Sequence, residues 1–476
     1  PLYKYLLLGE YIVTYGLGRV AGVYASAQAF ADDFRADPTL LYLIARATSA
    51  VLGALTVLAT YGLAHAARGR SVALLAAWLA TVAYLLVRES HFAVNDALVT
   101  LMTTMALLFC ARIAATGRRA DSFAAGALTG LAFAAKYTGA AVLAPFILAH
   151  VLSPGQRKLG NLALGLVAAL AASLIAFPPL LLEPGRVAGD IYTHLYLSGR
   201  NGYDGMDPAG GYVYYLKVLV VGLGWPLLLA AGAGLVHSAV RRDQRLLVIA
   251  ALPVALYAFM GQQRMYFARF ILPALPPLLV LAATVSDAGV ARLLQRVNRP
   301  GLAAAVVAIT GVLLGARPAL DAVRFDRLLA REDTRTQARA WIEAHIPAGT
   351  RIAVDWFPFG PPLSPDRHDL LVADGWALFD LTIEEYRQQG INYLVASSYT
   401  YDLPLRDPQS DRRRQAFYTA MREEALLIEE FRPYAGEADG GFVYDRIYAP
   451  FDHLGALERP GPTVRIYQLP SGAALR

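Results

Sequence analysis

RESHFAVNDALVT, residues 88–100, lies between two long apolar runs and carries a cluster of polar side chains: Arg88, Glu89, His91, Asn95 and Asp96. An ionisable group costs roughly 2.5–3.5 kcal/mol at the centre of a membrane-spanning helix, so a chain keeps such groups near hydrocarbon only where they have a role. Asp96 opens the following apolar run, where the amino terminus of a helix favours negative charge. The stretch therefore predicts a loop between two membrane spans that contributes to a functional site.

The composition is that of a membrane protein. Of 476 residues, 56% are hydrophobic and only 17% are charged, and the mean hydropathy is +0.41. An ordinary soluble domain has about 25% charged residues. The net charge is +6, and the chain has four lysines and one cysteine, Cys110, so no intrachain disulfide forms. The chain begins at Pro1 and shows no signal peptide, and we expect a further segment upstream.

Ten apolar segments predict about ten membrane spans. Residues 1–30 carry Lys4, Glu10 and Arg19 and predict an interfacial or re-entrant helix instead, and residues 31–38 predict a polar turn. The predicted spans are residues 40–66, 71–87, 96–115, 121–137, 139–152, 160–182, 212–238, 246–261, 269–286 and 301–318.

Basic residues recur at every second connection between these spans, and the positive-inside rule places those connections in the cytoplasm. They are Arg68 and Arg70, Arg118 and Arg119, Arg157 and Lys158, Arg241, Arg242 and Arg245, and Arg292, Arg296 and Arg299. The remaining connections are then predicted to lie outside: residues 88–95, 137–139, 183–211 and 262–268.

From residue 319 onwards the pattern is that of a water-soluble α/β domain. Strands are predicted at 351–356, 369–376, 391–398 and 463–469, and helices at 382–390 and 411–431. The predicted fold is a mainly α polytopic membrane protein, residues 1–318, with a C-terminal soluble α/β domain, residues 319–476. The number of spans places this domain outside.

Polar residues of the predicted outer face combine cations with carboxylates, which suits an anionic headgroup and a reaction that needs acid–base help. They are Glu89, His91, Asn95, Asp96, Lys136, Tyr137, His194, Arg200, Asp204, Asp207, Gln262, Arg264, Tyr266 and Arg269.

Simpler roles stay open for several of these residues. Lys136 either binds a ligand or extends to the membrane interface, and Asp96 is either a site carboxylate or a helix cap. His91 fits a packed histidine better than a ligand, and Arg269 can pair with a bilayer phosphate. Residues 201–211 are rich in turn formers. No His, Cys or Asp cluster has metal-ligand spacing, and nucleotide-binding and serine-hydrolase motifs are absent.

Five segments together resemble the GT-C superfamily of membrane glycosyltransferases, in particular glycosyltransferase family 39. That family includes the protein O-mannosyltransferases and the lipid A aminoarabinose transferases. PLYK (1–4) is similar to the end of its HPPLxK segment, and SHFAVNDALVTLM (90–102) to its second outer-loop segment. GLAFAAKYTG (130–139) resembles GLAxxTKYxG, ARFILPALPPLLVLAA (268–283) resembles the RYxLPALP span, and LERPGPTVRIYQLP (457–470) resembles the end of many bacterial members.

The resemblance implies a hexosyl- or pentosyltransferase that moves a sugar from a polyprenyl-phosphate donor to an acceptor at the outer face, with inversion. The acceptor is a lipid, a glycan or a protein. By the family pattern, Lys4 lies near the first-loop site, Asp96 is the second-loop acid and Lys136 lies beside the donor phosphate, with Arg269 a weaker candidate for that role. The family's catalytic Asp and first span precede the HPPLxK segment, and we expect them before Pro1.

The predicted catalytic residues are Asp96, His91 and Asn95, and the predicted substrate-binding residues are Lys4, Lys136, Tyr137, Arg264, Arg269 and Asp204. We expect a bacterial plasma-membrane protein with its tail in the periplasm or outside, contacting membrane lipids and no nucleic acid. No cofactor is required by the sequence, which leaves a divalent metal open. The alternatives are a membrane transporter or lipid flippase, which would show midplane charges and repeats, and a non-catalytic scaffold.

Overall fold

The computed structural model describes the whole chain except residues 155–157, 198, 200–209, 296–299, 357–358, 373–377, 407–410, 437–442 and 471–476. The chain divides into two compact units, with the boundary after Ala322. The predicted boundary, 318/319, lies four residues earlier. Each unit is described in turn.

The first unit is helical. Its α-helices are α1 Leu2–Val20, α2 Ala27–Ala36, α3 Thr39–Arg68, α4 Arg70–Val82, α5 Tyr84–Ser90, α6 Asp96–Thr116, α7 Arg119–Ala135, α8 Leu143–Leu152, α9 Lys158–Ala176, α10 Pro179–Leu182, α11 Pro184–Tyr192, α12 Gly210–Arg241, α13 Gln244–Gly261, α14 Leu275–Leu293 and α15 Pro300–Leu329. Two 3₁₀ segments, Tyr137–Val142 and Ala268–Ala274, precede α8 and α14, and a π-helical turn covers Thr193–Leu197.

All ten segments predicted to span the membrane are helical. In the described residues, seven helical segments are long and apolar enough to cross a membrane, and eight are when the pair α4–α5, bent by 57°, is included. Helix α7, with 17 residues, and the segment Tyr137–Leu152 are shorter. The mainly α, polytopic fold is therefore confirmed, and the count of ten spans stays a prediction.

The polar turn predicted at residues 31–38 is wrong, because α2 covers most of it. The Ser26 hydroxyl accepts a hydrogen bond from Ala29 N at 3.1 Å and so caps this helix. The extended backbone of Asp37, with φ −143°, ends it.

The core of this unit surrounds α6 and the segment Ala268–Leu293, whose most apolar windows are 72% and 83% buried. Small residues allow neighbouring helices to approach closely. A Cβ atom on Gly126 of α7 would lie 2.0 Å from the carbonyl oxygen of Gly165 on α9. Such contacts are typical of helix pairs in membranes.

The second unit contains a five-stranded sheet with helices. Its strands are β1 Arg351–Val354, β2 Asp369–Val372, β3 Tyr393–Ser397, β4 Leu426–Phe431 and β5 Val464–Gln468, in the order β2-β1-β3-β5-β4. Strand β1 pairs in parallel with β2 and β3, whereas β5 is antiparallel to β3 and β4. The helices are α16 Thr334–His345, α17 Ile383–Gln388, α18 Ser398–Arg406, α19 Arg412–Glu424 and α20 Tyr444–Tyr448, with a 3₁₀ turn at Leu378–Asp380. The predicted α/β domain is confirmed.

One predicted helix in this unit is wrong in its second half. The sequence predicts one amphipathic helix over residues 411–431, but α19 ends at Glu424 and the chain continues as β4. The backbone is extended at Ala425, with φ −113° and ψ 145°, and β4 then pairs with β5.

A buried carboxylate holds the end of β1. Asp355 follows this strand, and its carboxylate accepts hydrogen bonds from Leu378 N at 3.1 Å, Ser397 N at 2.8 Å and Thr400 Oγ1 at 2.6 Å. Burial raises the pKa of Asp355 to about 7, although these hydrogen bonds favour the charged form.

Candidate active site

An ion pair joins the two outer-face charges that the sequence singles out. Asp96 opens α6 and Lys136 directly follows α7, so the two antiparallel helices bring the start of one beside the end of the other. Lys136 Nζ donates to Asp96 Oδ1 at 2.5 Å. The Asp96 side chain is 2% exposed and that of Lys136 is 16% exposed. Each charge in a buried pair of this kind depends on the other, because removal of either partner leaves an unpaired charge in the protein interior.

An aromatic ring and two further charged residues lie near Lys136. Its Nζ lies 4.4 Å from the centroid of the Phe270 ring, a distance at which a cation is attracted to an aromatic face. Arg269 Cζ lies 5.9 Å from the same ring. Arg269 and Glu89 are both close enough to Lys136 to interact with it electrostatically. The structure therefore brings three predicted site residues, Asp96, Lys136 and Arg269, to one place.

The loop before Asp96 is tied to its surroundings by His91 and Asn95. Asn95 Nδ2 donates to the carbonyl oxygen of Ala135 at 3.0 Å, which holds the loop against the end of α7. His91 Nδ1 is 2.9 Å from the carbonyl oxygen of Val87, and Arg46 Nε donates to the carbonyl oxygen of His91 at 2.9 Å. The catalytic roles of His91 and Asn95 stay predictions.

A cavity of about 300 Å³ adjoins the ion pair. Asn95, Lys136 and Tyr137 line it together with His194, whereas Phe259, Met260, Met265 and Phe270 give it a largely apolar wall. Thr138 also lines the cavity, and its buried Oγ1 has no hydrogen-bond partner in the described part of the chain. A polar end beside an apolar wall suits an amphipathic ligand with a charged head.

Only some of the remaining predicted site residues line this cavity. Tyr137 is half-buried at the cavity, and Arg264 is exposed and donates its backbone N–H to Gly199 O at 2.5 Å. Lys4 is exposed on α1, where its neighbour Tyr3 packs into the core and donates to Ala45 O at 3.0 Å. Three outer-face residues lie outside the described residues: Asp204, Arg200 and Asp207.

Two features near the site involve residues outside the predicted catalytic and substrate-binding sets, although Arg88 and Glu89 belong to the polar cluster that the sequence singles out. Arg88 and Glu89 are buried, and Arg88 Nη1 donates to Glu89 Oε1. Arg46 and Arg88 each hold their guanidinium carbon 5.9 Å from the Phe92 ring. The buried Arg88–Glu89 pair is indicated in the sequence by an Arg-Glu dipeptide at the end of an apolar run. Nothing in the local sequence distinguishes Arg46. No group of three or more His, Cys, Asp or Glu residues is placed to hold a metal ion among the residues described.

The fold and this site define a polytopic helical membrane protein with a buried ion pair beside a cavity. Residues 43–182 match the model of the family described as dolichyl-phosphate-mannose-protein mannosyltransferase, and this segment contains both Asp96 and Lys136. No curated protein sequence matches the chain.

Solved structures of the GT-C class have a similar fold. ArnT from Cupriavidus metallidurans bound to undecaprenyl phosphate is 16% identical, with a TM-score of 0.50 over 81% of this chain and 82% of that one. The oligosaccharyltransferase of Archaeoglobus fulgidus with Zn and sulfate is 14% identical, with a TM-score of 0.54 over 98% and 80%. The archaeal oligosaccharyltransferase AglB from Archaeoglobus fulgidus, in complex with an inhibitory peptide and a dolichol-phosphate, is 12% identical, with a TM-score of 0.53 over 98% and 80%. The chain therefore has the fold of the GT-C superfamily of membrane glycosyltransferases, as its sequence predicts.

Proposed function

We propose that this protein transfers a sugar from a polyprenyl-phosphate-linked donor to an acceptor at the outer face of the plasma membrane, with inversion. The main evidence for this proposal is the Asp96–Lys136 pair at the polar end of a cavity whose wall is largely apolar. A lipid phosphate likewise has a charged head and an apolar tail. Two of the structures with this fold hold undecaprenyl phosphate and a dolichol-phosphate, which supports this class of ligand.

Lys136 is the residue that we assign to the donor phosphate. Its ammonium group forms part of the cavity lining and is held in place by Asp96, so two of its donor positions are available to a phosphate oxygen. A lysine–phosphate hydrogen bond is charge-assisted and therefore stronger than a neutral one. The unpartnered hydroxyl of Thr138 offers a second donor at the same cavity.

In the proposed reaction, the acceptor atom bonds to the anomeric carbon from one side as the bond from that carbon to the phosphate oxygen breaks on the other. The sugar is inverted, the acceptor proton passes to a base, and the negative charge passes to the leaving polyprenyl phosphate. A fixed cation placed where charge develops lowers the barrier. Asp96 already accepts a hydrogen bond from Lys136 and is almost fully buried, so we assign Asp96 to positioning Lys136.

The test measures undecaprenyl phosphate binding to the full chain in detergent, and sugar transfer from polyprenyl-phosphate-linked hexoses and pentoses in proteoliposomes. Lys136→Gln should weaken binding about tenfold or more, the loss of one charge-assisted hydrogen bond. Lys136→Gln and Asp96→Asn should each lower transfer about a hundredfold.

The matched control is Lys158→Gln, because Lys158 bonds to the carbonyl oxygen of Val151 in another part of the unit. It should bind and transfer like the wild type. Full binding and transfer by a folded Lys136→Gln variant would remove Lys136 from the site.

A further inference from the structure

A second cavity lies entirely within the second unit and is independent of the site above. It has a volume of about 190 Å³. Its lining contains four arginines and two carboxylates: Arg432, Arg446, Arg459, Arg465, Asp402 and Glu430. A concave surface with this excess of guanidinium groups favours an anionic ligand.

Two carboxylates at or near this cavity, Glu430 and Asp452, form ion pairs with its arginines. Arg465 Nε donates to Glu430 Oε1 at 2.6 Å, and Arg432 Nε lies 4.0 Å from the other oxygen of Glu430. Arg446 Nε donates to Asp452 Oδ1 at 2.7 Å and its Nη1 donates to Tyr434 Oη at 2.9 Å. These contacts hold the guanidinium groups in fixed positions around the cavity.

Arg459 differs from the other three arginines. Its side chain is half-buried and lines the cavity, but it forms no hydrogen bond or ion pair with any residue that the structure describes. A guanidinium group loses hydration when it is partly buried, and this loss is offset when an anion binds it. The half-buried guanidinium group of Arg459 at this cavity therefore points to an anionic ligand.

The backbone that carries Arg459 is held on both sides. Glu458 N and Arg459 N donate to Pro433 O at 2.8 and 3.4 Å. Further along, Thr334 Oγ1 donates to Pro462 O at 2.6 Å. Gly461 has a φ of +105°, a conformation that other residues rarely adopt. The cavity is thus preformed, and a ligand does not have to order this segment.

We propose that this cavity binds the anionic group of an acidic saccharide, a sugar ring that carries a carboxylate or a phosphate. The planar guanidinium fork of arginine matches both groups. A volume of 190 Å³ is many times the roughly 10–15 Å³ that one water molecule needs, so the cavity has room for more than a lone anion. It is also below the volume of about 300–1,000 Å³ that takes a drug-sized ligand. Tyr399, Tyr401 and Tyr434 add amphipathic walls that suit a sugar ring.

The experiment titrates the full chain in detergent with glucuronate, glucose 6-phosphate, glucose and inorganic phosphate, and measures binding by calorimetry. The two acidic sugars should bind, inorganic phosphate should bind several-fold more weakly, and glucose should not bind. Arg459→Gln should weaken binding of the acidic sugars about tenfold or more, the loss of a charge-assisted contact. Arg459→Lys keeps the charge but loses the planar guanidinium fork. Its affinity for the acidic sugars should lie between those of the wild type and Arg459→Gln.

The matched control is Arg412→Gln, which removes the same charge from an exposed position on α19 and should leave the affinities unchanged. An equal loss in both variants would show a general charge effect and overturn the proposal. Glucose binding as tightly as glucuronate would overturn the need for an anion, and inorganic phosphate binding as tightly as glucose 6-phosphate would overturn the need for a sugar ring. A folded Arg459→Gln variant with wild-type affinities would remove the site.

Discussion

At the scale of single residues, the structure pairs Asp96 with Lys136, the two charges for which the sequence leaves simpler roles open. The residue that precedes α6 is Asn95, and no side chain caps this helix by a hydrogen bond. The carboxylate of Asp96 instead accepts a hydrogen bond from Lys136, whose side chain is 16% exposed. Both charges belong to a buried pair, and their catalytic and binding roles stay predictions.

Asp355 in the second unit provides a test of a buried carboxylate. Its pKa is raised to about 7, because burial disfavours the charged form, whereas an unfolded Asp titrates near 3.9. Between about pH 4 and pH 7 the folded protein holds a proton that the unfolded chain has lost, so stability falls as pH rises through this range. We expect the thermal unfolding midpoint of the wild type, measured by intrinsic fluorescence, to fall from pH 5 to pH 8.

The variant Asp355→Asn cannot ionise, so its midpoint should lack this part of the fall. Its midpoint at pH 5 should be lower than that of the wild type, because an amide does not accept all three hydrogen bonds that Asp355 accepts. Asp369→Asn, at an exposed ion pair with Arg351, serves as the control and should keep the wild-type pH dependence. A fall of equal size in Asp355→Asn would assign the effect to other groups.

At the scale of elements, the junction between α7 and the following 3₁₀ segment places Lys136. Gly139 N donates to Lys136 O at 2.8 Å, and a Cβ atom at Gly139 would lie 2.3 Å from the carbonyl oxygen of Ala132 in the last turn of α7. Gly139→Ala must therefore separate the two segments and move Lys136. We expect a lower thermal unfolding midpoint and weaker binding of undecaprenyl phosphate.

Gly160→Ala in α9 is the control, since no atom of the described residues, apart from its chain neighbours and the backbone of its own helix, lies within 4 Å of the position that its methyl group would occupy. Alanine at a helical glycine adds up to about 1 kcal/mol of stability, so this variant should be at least as stable as the wild type. If Gly139→Ala behaved in the same way, close packing at this junction would not position Lys136.

The elements that the sequence predicts well are those with local causes. Long apolar runs define the membrane helices, and the Thr382–Glu385 capping box starts α17 where the helix was predicted. The error at β4 arises because its partner is distant in the sequence. Strand β4 follows a helix in an unbroken amphipathic pattern, and only its pairing with β5 makes it a strand. The Phe270 ring beside Lys136 is likewise a product of tertiary packing, which no local pattern contains.

At the scale of the membrane unit, contacts join the connections in two groups that match the predicted sides. At one end, Lys136 meets Asp96, and Gly199 meets Arg264. The other group links connections with basic residues: Arg68 Nη2 lies 2.9 Å from Asp243 Oδ2, and Asn161 Nδ2 donates to Gly117 O at 3.0 Å. The alternation predicted from arginine and lysine thus agrees with the packing, and the compartment that each end faces stays a prediction.

Cysteine labelling of the full chain in sealed inverted and right-side-out vesicles tests that compartment. The native Cys110 is buried and should not react with a membrane-impermeant maleimide. Arg264→Cys, at an exposed position, should react only from the outside, and Arg118→Cys, also exposed, only from the inside. Arg412→Cys reports on the second unit and should also react from the outside.

Reaction of positions 118 and 264 from the same side would contradict the predicted alternation of the spans. Reaction of position 412 from the inside would place the second unit, with its arginine cavity, in the cytoplasm and contradict its predicted outer location.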